Sequence, residues 1–252
     1  MTHYLLTLCF DGRKFCGYQV QNTTDGEKRT VGGELKKALI SVFGTVENLA
    51  GCSRTDSGVH ATGYRASFSA EKNLDDGVVV RAVNANLPND IAIYECRKVS
   101  EKFHARYSVI SKKYVYKIYT SPVRDPFKNG LYLHFPHKID AQVLDCACRD
   151  FCGTHDFASF MAAGSKIKDS VRTVYDASFY PVCENEYAFT VTANGFLYNM
   201  VRIMVGTLLE IQTGKIDLHA IPAIIEKKDR SFAGYTAPAD GLYLCEVRYD
   251  NL

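Results

Sequence analysis

The segment "HYLLTLCF", residues 3–10, constrains the fold more than any other stretch of the chain. Both of its alternating faces are largely apolar, so as a strand it must be covered on both sides and run through the middle of a sheet. Such a sheet needs a second layer packed against it. The cover follows in the sequence. "TVGGELKKALISVFG" sets Val31, Leu35, Ala38, Leu39 and Val42 at helical spacing, with Thr30 as N-cap and Gly44 as the stop. "GVVVRAVNANLP" fits helix or strand by propensity, and the acidic start at Asp75 and Asp76 with the Pro88 stop selects a helix.

Strands are expected at "YRASFSA" and "IAIYECRKV", followed by a long, basic, aromatic-rich extended segment, "FHARYSVISKKYVYKIYT". After the "SPVRDPFKNG" loop the order of elements begins again. A helix over "IDAQVLDCACRDFCG" precedes strands "SVRTVYDASFY" and "EYAFTVTANGF". Helices "LYNMVRIMVGTLLEIQTG" and "LHAIPAIIEKK" and a closing strand "LYLCEVRYD" complete the series. The two runs share element order without a sequence repeat. The expected architecture is α+β, with halves 1–105 and 106–252 sharing a mostly antiparallel sheet and helices on one face.

The formal charge of +2 provides no general field for polyanions, so any such contact must come from a local patch. The cysteine count is nine, which is odd, and "MTHYLLTLCFDG" lacks a basic region followed by a long apolar one. No apolar run approaches the roughly 20 residues needed to span a bilayer. These features together describe a cytoplasmic protein with reduced thiols. "CACRDFCGTH" offers zinc-type ligands, but a helix there puts Cys148 and Cys152 on one face and Cys146 elsewhere. The spacing matches no paired zinc layout, so these cysteines are expected to pack.

Four stretches could carry chemistry. "GCSRTDSGVHATG" surrounds Asp56 with turn-forming residues, and an Asx-turn would account for it. No Gly-x-Ser-x-Gly surrounds Ser57, which removes a serine-hydrolase elbow, and Asp56 with His60 gives only two metal ligands. "NGFLYNMVRIMVG" embeds Arg202 among Met200, Val201, Ile203, Met204 and Val205. Arginines on such helices ordinarily snorkel to the surface, yet here little polar face is left. A guanidinium near an apolar core needs a carboxylate, and Asp56 is a candidate that such pairing would keep ionised, as a nucleophile requires.

In "SKKYVYKIY", alternation places Tyr114, Tyr116 and Ile118 on one face and Val115, Lys117 and Tyr119 on the other. A half-buried strand with a lysine edge explains this, and aromatic rings beside lysines also suit unpaired bases and phosphates. "EKKDRSFAGYTAPADGLYL" puts Lys227, Lys228 and Arg230 at a helix end, where the macrodipole favours cations. With Arg13, Lys14 and Arg54 they would form the local basic patch.

These stretches, with "DGRKFCGYQVQ" and "GTHDFASF", occur in the order seen in the bacterial tRNA pseudouridine synthase A family, which the chain resembles over essentially its whole length. The resemblance implies two similar RRM/ferredoxin-like halves around a central cleft. It also implies isomerisation of uridines at tRNA positions 38, 39 and 40 in the anticodon arm, with no cofactor and no metal, by a homodimer. Asp56 is then the nucleophile, Tyr114 the ring that stacks on the target uracil and helps in proton removal, and Arg202 the partner of the aspartate. Arg54 assists base flipping, and His60, Lys228 and Arg230 join it in substrate binding. Many relatives carry histidines where this chain has Tyr198 and Asn199. Two rivals remain: a noncatalytic RNA-binding module, and a nucleoside or glycoside hydrolase, which commonly needs a second carboxylate about 5 to 9.5 Å away.

Overall fold

The computed structural model describes residues 1–23, 26–164 and 167–250. The chain packs as two units, Met1–Ile110 with the chain from Tyr243 onward, and Ser111–Leu242. Sequence halves and packed units therefore differ at the C-terminal strand, which returns to the first unit.

The elements begin with β1 (Thr2–Phe10), a short pair β2 (Asn22–Thr23) and β3 (Gly26–Glu27), α1 (Val31–Phe43), β4 (Glu47–Gly51), β5 (His60–Ala70), α2 (Asp76–Asn84) and β6 (Ile91–Lys98). They continue through β7 (Val109–Thr120), β8 (Leu133–Phe135), α3 (Ala141–Arg149), β9 (Gly153–Asp156), β10 (Val171–Cys183) and β11 (Glu186–Ala193). Then come α4 (Met200–Gln212), α5 (Ile221–Lys227) and β12 (Leu242–Tyr249).

In the first unit β1 lies between β6 and β5, antiparallel to both, as its two apolar faces required. β4 pairs β5, so the four strands β1, β4, β5 and β6 take the spatial order 4-1-3-2 of a ferredoxin-like β-α-β-β-α-β unit. β12 adds to β5 in parallel at Tyr243↔His60. One face of β1 presents Tyr4, Leu6 and Leu8, all 0% exposed, and the Tyr4 ring meets Phe43 of α1 at 5.5 Å and stacks on Phe68 at 5.1 Å. Burying side chains of this size contributes about 1.5–3 kcal/mol each. Leu5 and Thr7 on the other face are equally buried. The chain after β6 crosses that face, where Ala105 N donates to Ser67 Oγ at 3.1 Å and Tyr249 Oη to Ala105 O at 2.7 Å.

That crossing corrects one expectation. Residues 103–108 form a turn and not the start of a strand, with Ser108 N donating to His104 O at 3.0 Å. Two further departures concern strands. β4 was not expected because "ENLAG" has no apolar alternation, and β5 starts at His60, so the end of the Asp56 motif is itself strand. α1 and α2 form as expected, with Thr30 Oγ1 accepting from Gly33 N at 3.2 Å.

The second unit orders its strands β7-β11-β10-β9, with β8 parallel to β7. β7, α3, β10, β11 and α4 follow the same succession as the first unit, with β7, β10 and β11 in the order 1-3-2. α4 buries every residue except Arg202, Glu210 and Gln212. α3 is capped by Asp140, whose carboxylate accepts from Gln142 N and Val143 N, but it stops at Arg149, short of Gly153. Phe151 turns into the core at 0% exposure and Gly153, at φ +117°, opens β9. Cys152 is therefore off the helix, and the shared face with Cys148 does not exist. All nine cysteines are free thiols. Among the described residues no group of three or more His, Cys, Asp or Glu is placed to hold a metal, and no helix is long and apolar enough to cross a membrane.

Candidate active site

Asp56 sits in the irregular loop that joins β4 to β5, half-buried, with Arg54 exposed beside it. The loop is built against the chain that follows β1. Gly58 N donates to Phe15 O at 3.3 Å and Ser57 Oγ to the same carbonyl at 3.2 Å. Cys52 N donates to Arg65 O at 2.8 Å, and the Tyr64 hydroxyl donates to Ser53 O. Within the turn, Val59 N donates to Asp56 O at 3.3 Å. The approach of the two segments leaves no room for side chains. A Cβ on Gly12 would lie 2.1 Å from Val59 O, and one on Gly17, at φ +80°, would lie 2.2 Å from Thr55 O. "DGRKFCGYQ" and "SRTDSGVH" are thus one structural object, although 33 residues separate them in the chain.

His60 belongs to that object from below. It is 1% exposed, its ring stacks on Tyr243 at 4.5 Å, and its Nδ1 accepts from Gly12 N at 3.1 Å. Such a histidine supports the loop from within the fold. Arg13 is engaged with Asp11 through Nη2 at 2.5 Å, so its charge is partly offset within the protein. The Thr55 hydroxyl, next to Asp56, is a buried oxygen without a hydrogen-bond partner.

In the second unit Tyr114 lies on β7 opposite Val191 and meets Phe196 edge-to-face at 5.0 Å. The alternation read from the sequence holds, since Tyr114, Tyr116 and Ile118 are 6%, 0% and 0% exposed. Tyr119, at the end of the strand, departs from it: it is buried against His134 at 5.0 Å, and its hydroxyl accepts from Asp125 N.

Arg202 occupies the first turn of α4 and is half-buried. Its Nε donates to Ala237 O at 2.7 Å and its Nη1 to Asn199 Oδ1 at 2.8 Å, while Ala237 N donates to Arg202 O at 3.1 Å. Asn199 adopts the left-handed conformation, φ 59°, that Asn tolerates better than most residues. Asn199 therefore supplies an acceptor that fixes the guanidinium.

Residues 233–241 form the other wall of this environment, and sequence reasoning gave them no structural role. Gly234 N donates to Thr207 Oγ1 at 3.0 Å, the Tyr116 hydroxyl donates to Pro238 O at 2.7 Å, and a Cβ on Gly206 would lie 1.8 Å from Tyr235 O. Arg230 holds the same segment, with Nη1 donating to Ala233 O at 3.0 Å and Nη2 to Thr236 Oγ1 at 3.2 Å. Arg230 and Arg202 are thereby brought to one strip of backbone. Lys228, at the left-handed end of α5, pairs with Asp156 at 3.1 Å with its side chain largely in solvent. The signal for these supports was present in the small residues of "AGYTAPADG" and "MVGT", but small residues alone do not name their neighbours.

Arg54, Asp56 and His60 belong to the first unit, and Tyr114, Arg202, Lys228 and Arg230 to the second. The first supplies a carboxylate on a braced polar loop. The second supplies a braced guanidinium, an aromatic strand and two cations.

Comparison with known proteins follows this division. A family model described as "tRNA pseudouridine synthase" matches residues 147–250. The chain is 47% identical over 99% of its length to tRNA pseudouridine synthase A of Lacticaseibacillus casei, covering 100% of that protein. Against the proteins of the same name in Latilactobacillus sakei and Leuconostoc mesenteroides it is 44% and 42% identical, covering 98% and 100% of each and 98% and 99% of itself. A solved Cbf5-Nop10-Gar1 complex aligns with 95% of this chain and 57% of its own at 11% identity and a TM-score of 0.35, too distant to add to the fold or the function. The polar loop of Asp56 and the braced Arg202 thus occur in a chain that, at this identity over its full length, belongs to the tRNA pseudouridine synthase A family.

Proposed function

We propose that this protein isomerises uridine to pseudouridine at positions 38, 39 and 40 of the tRNA anticodon arm, with Asp56 as nucleophile. The observation that carries the reading is the loop of Asp56, fixed by two hydrogen bonds to Phe15 O and by close approach to Gly12 and Gly17, in a chain of synthase ancestry over its whole length. The reaction breaks the bond from the ribose to N1 of uracil, forms one to C5, releases the C5 proton and protonates N1. Its atoms balance without water or an external donor. What it needs is an ionised carboxylate that can form a covalent intermediate and a pocket that keeps the detached uracil.

Arg202 is assigned to pair with that carboxylate and keep it charged. Tyr114 is assigned to stack on the uracil and assist proton removal, and Arg54 to hold the extruded nucleotide. Unstacking the target base costs a few kcal/mol, to be offset by stacking and phosphate contacts. Lys228 and Arg230 serve those contacts, and His60 serves by bracing the loop. The working state is a cytoplasmic homodimer, which light scattering tests directly.

The decisive experiment is mass-spectrometric mapping of pseudouridine in tRNA incubated with wild type and with Asp56→Ala. The expected result is product at 38, 39 and 40 with wild type and none with the variant, while tRNA binding persists. Wild type that binds tRNA without product sinks the enzyme in favour of a binding module. Free uracil in the reaction favours a hydrolase.

A further inference from the structure

Two concave surfaces of the first unit differ in charge. One, of about 340 Å³, carries Arg65, Arg97 and Arg248. All three are engaged: Arg65 Nη1 and Arg97 Nη2 lie 3.0 and 2.5 Å from Glu95, and Arg248 Nε lies 2.6 Å from Glu246. A phosphate would have to displace those carboxylates, so this surface is poorly suited to polyanions. The other, of about 390 Å³, has Tyr18, Lys36, His104, Arg106 and Tyr107 in its lining and, among the described residues, no carboxylate.

Tyr107 leaves 78% of its surface exposed, beside a turn built to hold it still. His104 Nδ1 accepts from the backbone N of Arg106 at 3.1 Å and of Tyr107 at 3.3 Å, and His104 N donates to Ser108 Oγ at 3.1 Å. The His104 ring lies 4.4 Å from that of Tyr107, and the Arg106 guanidinium lies 5.9 Å from it. An exposed ring, stiffened from behind and with a guanidinium beside it, has already lost part of the freedom that binding would otherwise remove. With Nδ1 used as an acceptor, the neutral imidazole carries its proton on Nε2.

We infer that this cavity is a second RNA subsite, where an unpaired nucleotide of the substrate stacks on Tyr107 and its phosphates meet Arg106 and Lys36. The inference rests on the reading that the substrate is tRNA. The occupant is a nucleotide because the described lining joins a π-face to cations without acid, the pairing that sequence-tolerant single-strand sites use. The subsite is made wholly within the first unit, so it adds a contact to those assigned around Asp56.

The test measures tRNA affinity over a salt series for wild type, Tyr107→Ala, Tyr107→Phe and Arg106→Gln, with pseudouridine mapping in parallel. Tyr107→Ala is expected to weaken binding about tenfold and raise KM more than it lowers kcat, the loss of one stacked base. Tyr107→Phe keeps the ring and stays within about twofold of wild type. Arg106→Gln lowers the salt slope by about one. Thermal unfolding of all variants is expected to match wild type, because the ring lies in solvent. Wild-type affinity in Tyr107→Ala, equal loss in the Phe and Ala variants, or an unchanged slope in Arg106→Gln overturns the subsite. Absence of pseudouridine with wild type overturns the synthase reading and leaves the binding series interpretable.

Discussion

Asn199 Oδ1 accepts from Arg202 Nη1 at 2.8 Å from a residue in the left-handed conformation, φ 59°. One side chain therefore does two jobs, and substitutions separate them. Asn199→Gly keeps the conformation and loses the acceptor, Asn199→Asp keeps the acceptor, and Asn199→Ala loses both. A hydrogen bond to a charged group contributes about 1.5–3 kcal/mol and the left-handed conformation costs an ordinary residue about 1–2 kcal/mol. Denaturant unfolding should rank wild type and Asp above Gly, with Ala lowest. A variant series without that order disproves the double role.

Arg202→Lys removes the planar fork while leaving a positive charge. Lysine has a single nitrogen in place of the planar fork whose Nε and Nη1 reach Ala237 O and Asn199 Oδ1 and whose Nη2 is a further donor group. Turnover is expected to fall about 100-fold with tRNA affinity changed by less than threefold, the pattern for a group that acts on developing charge. Single-turnover kinetics at saturating tRNA decide the matter, and equal losses in rate and affinity contradict the assignment.

Gly17→Ala tests the union of the two motif segments. Its Cβ would lie 2.2 Å from Thr55 O at a φ of +80°, so the backbone on which Asp56 rides must move. The strain is about 1–2 kcal/mol before the clash is counted. A displacement of about 1 Å in a catalytic group costs on the order of 100-fold in rate. Near-wild-type turnover in Gly17→Ala rules out the loop as the positioning device.

Asp156 carries a prediction for acid stability. The Ser170 hydroxyl first, and then the Lys228 ammonium and Ala158 N, hold its carboxyl below the usual range against the opposing effect of burial. A folded-state value below the unfolded one contributes stability that is present above about pH 4 and is lost as pH falls through the folded value. The difference in unfolding free energy between wild type and Asp156→Asn should be constant near neutrality and shrink below about pH 4. A difference that does not change between pH 7 and pH 3 refutes the coupling.

Thiol accessibility checks the packing of the cysteine segment. Cys146 and Cys183 are exposed, Cys52, Cys96 and Cys148 are buried, and burial pushes the Cys96 thiol up to about 12. Alkylation of native protein should label Cys146 and Cys183 first and reach the buried three only on unfolding. Early labelling of Cys148 argues against the packing of α3.

Periodicity alone placed β1 in the middle of a sheet, gave α1 its Thr30 cap and made α4 a buried helix, because each of these signals is local and repeated. The succession of strands and helices was legible in the same way, and so was the division of Tyr114 and Tyr116 from Lys117. β4 and β9 were not, since short polar strands exist only through their pairing with β5 and β10. The turn at 103–108 reads as extended until Ser67 and Tyr249 capture Ala105.

What the sequence by itself determined is the set of reactive groups: one aspartate among turn formers, one arginine on an apolar helix, and tyrosines alternating with lysines. Tertiary structure decided what each of them touches. It put His60 beneath the loop, made Asn199 the acceptor for Arg202, and joined residues 12–17 to residues 55–59. The physical reason is range. Spacing along the chain encodes which way a side chain points, whereas its partner is fixed by hydrogen bonds and close packing between segments whose separation no local pattern records.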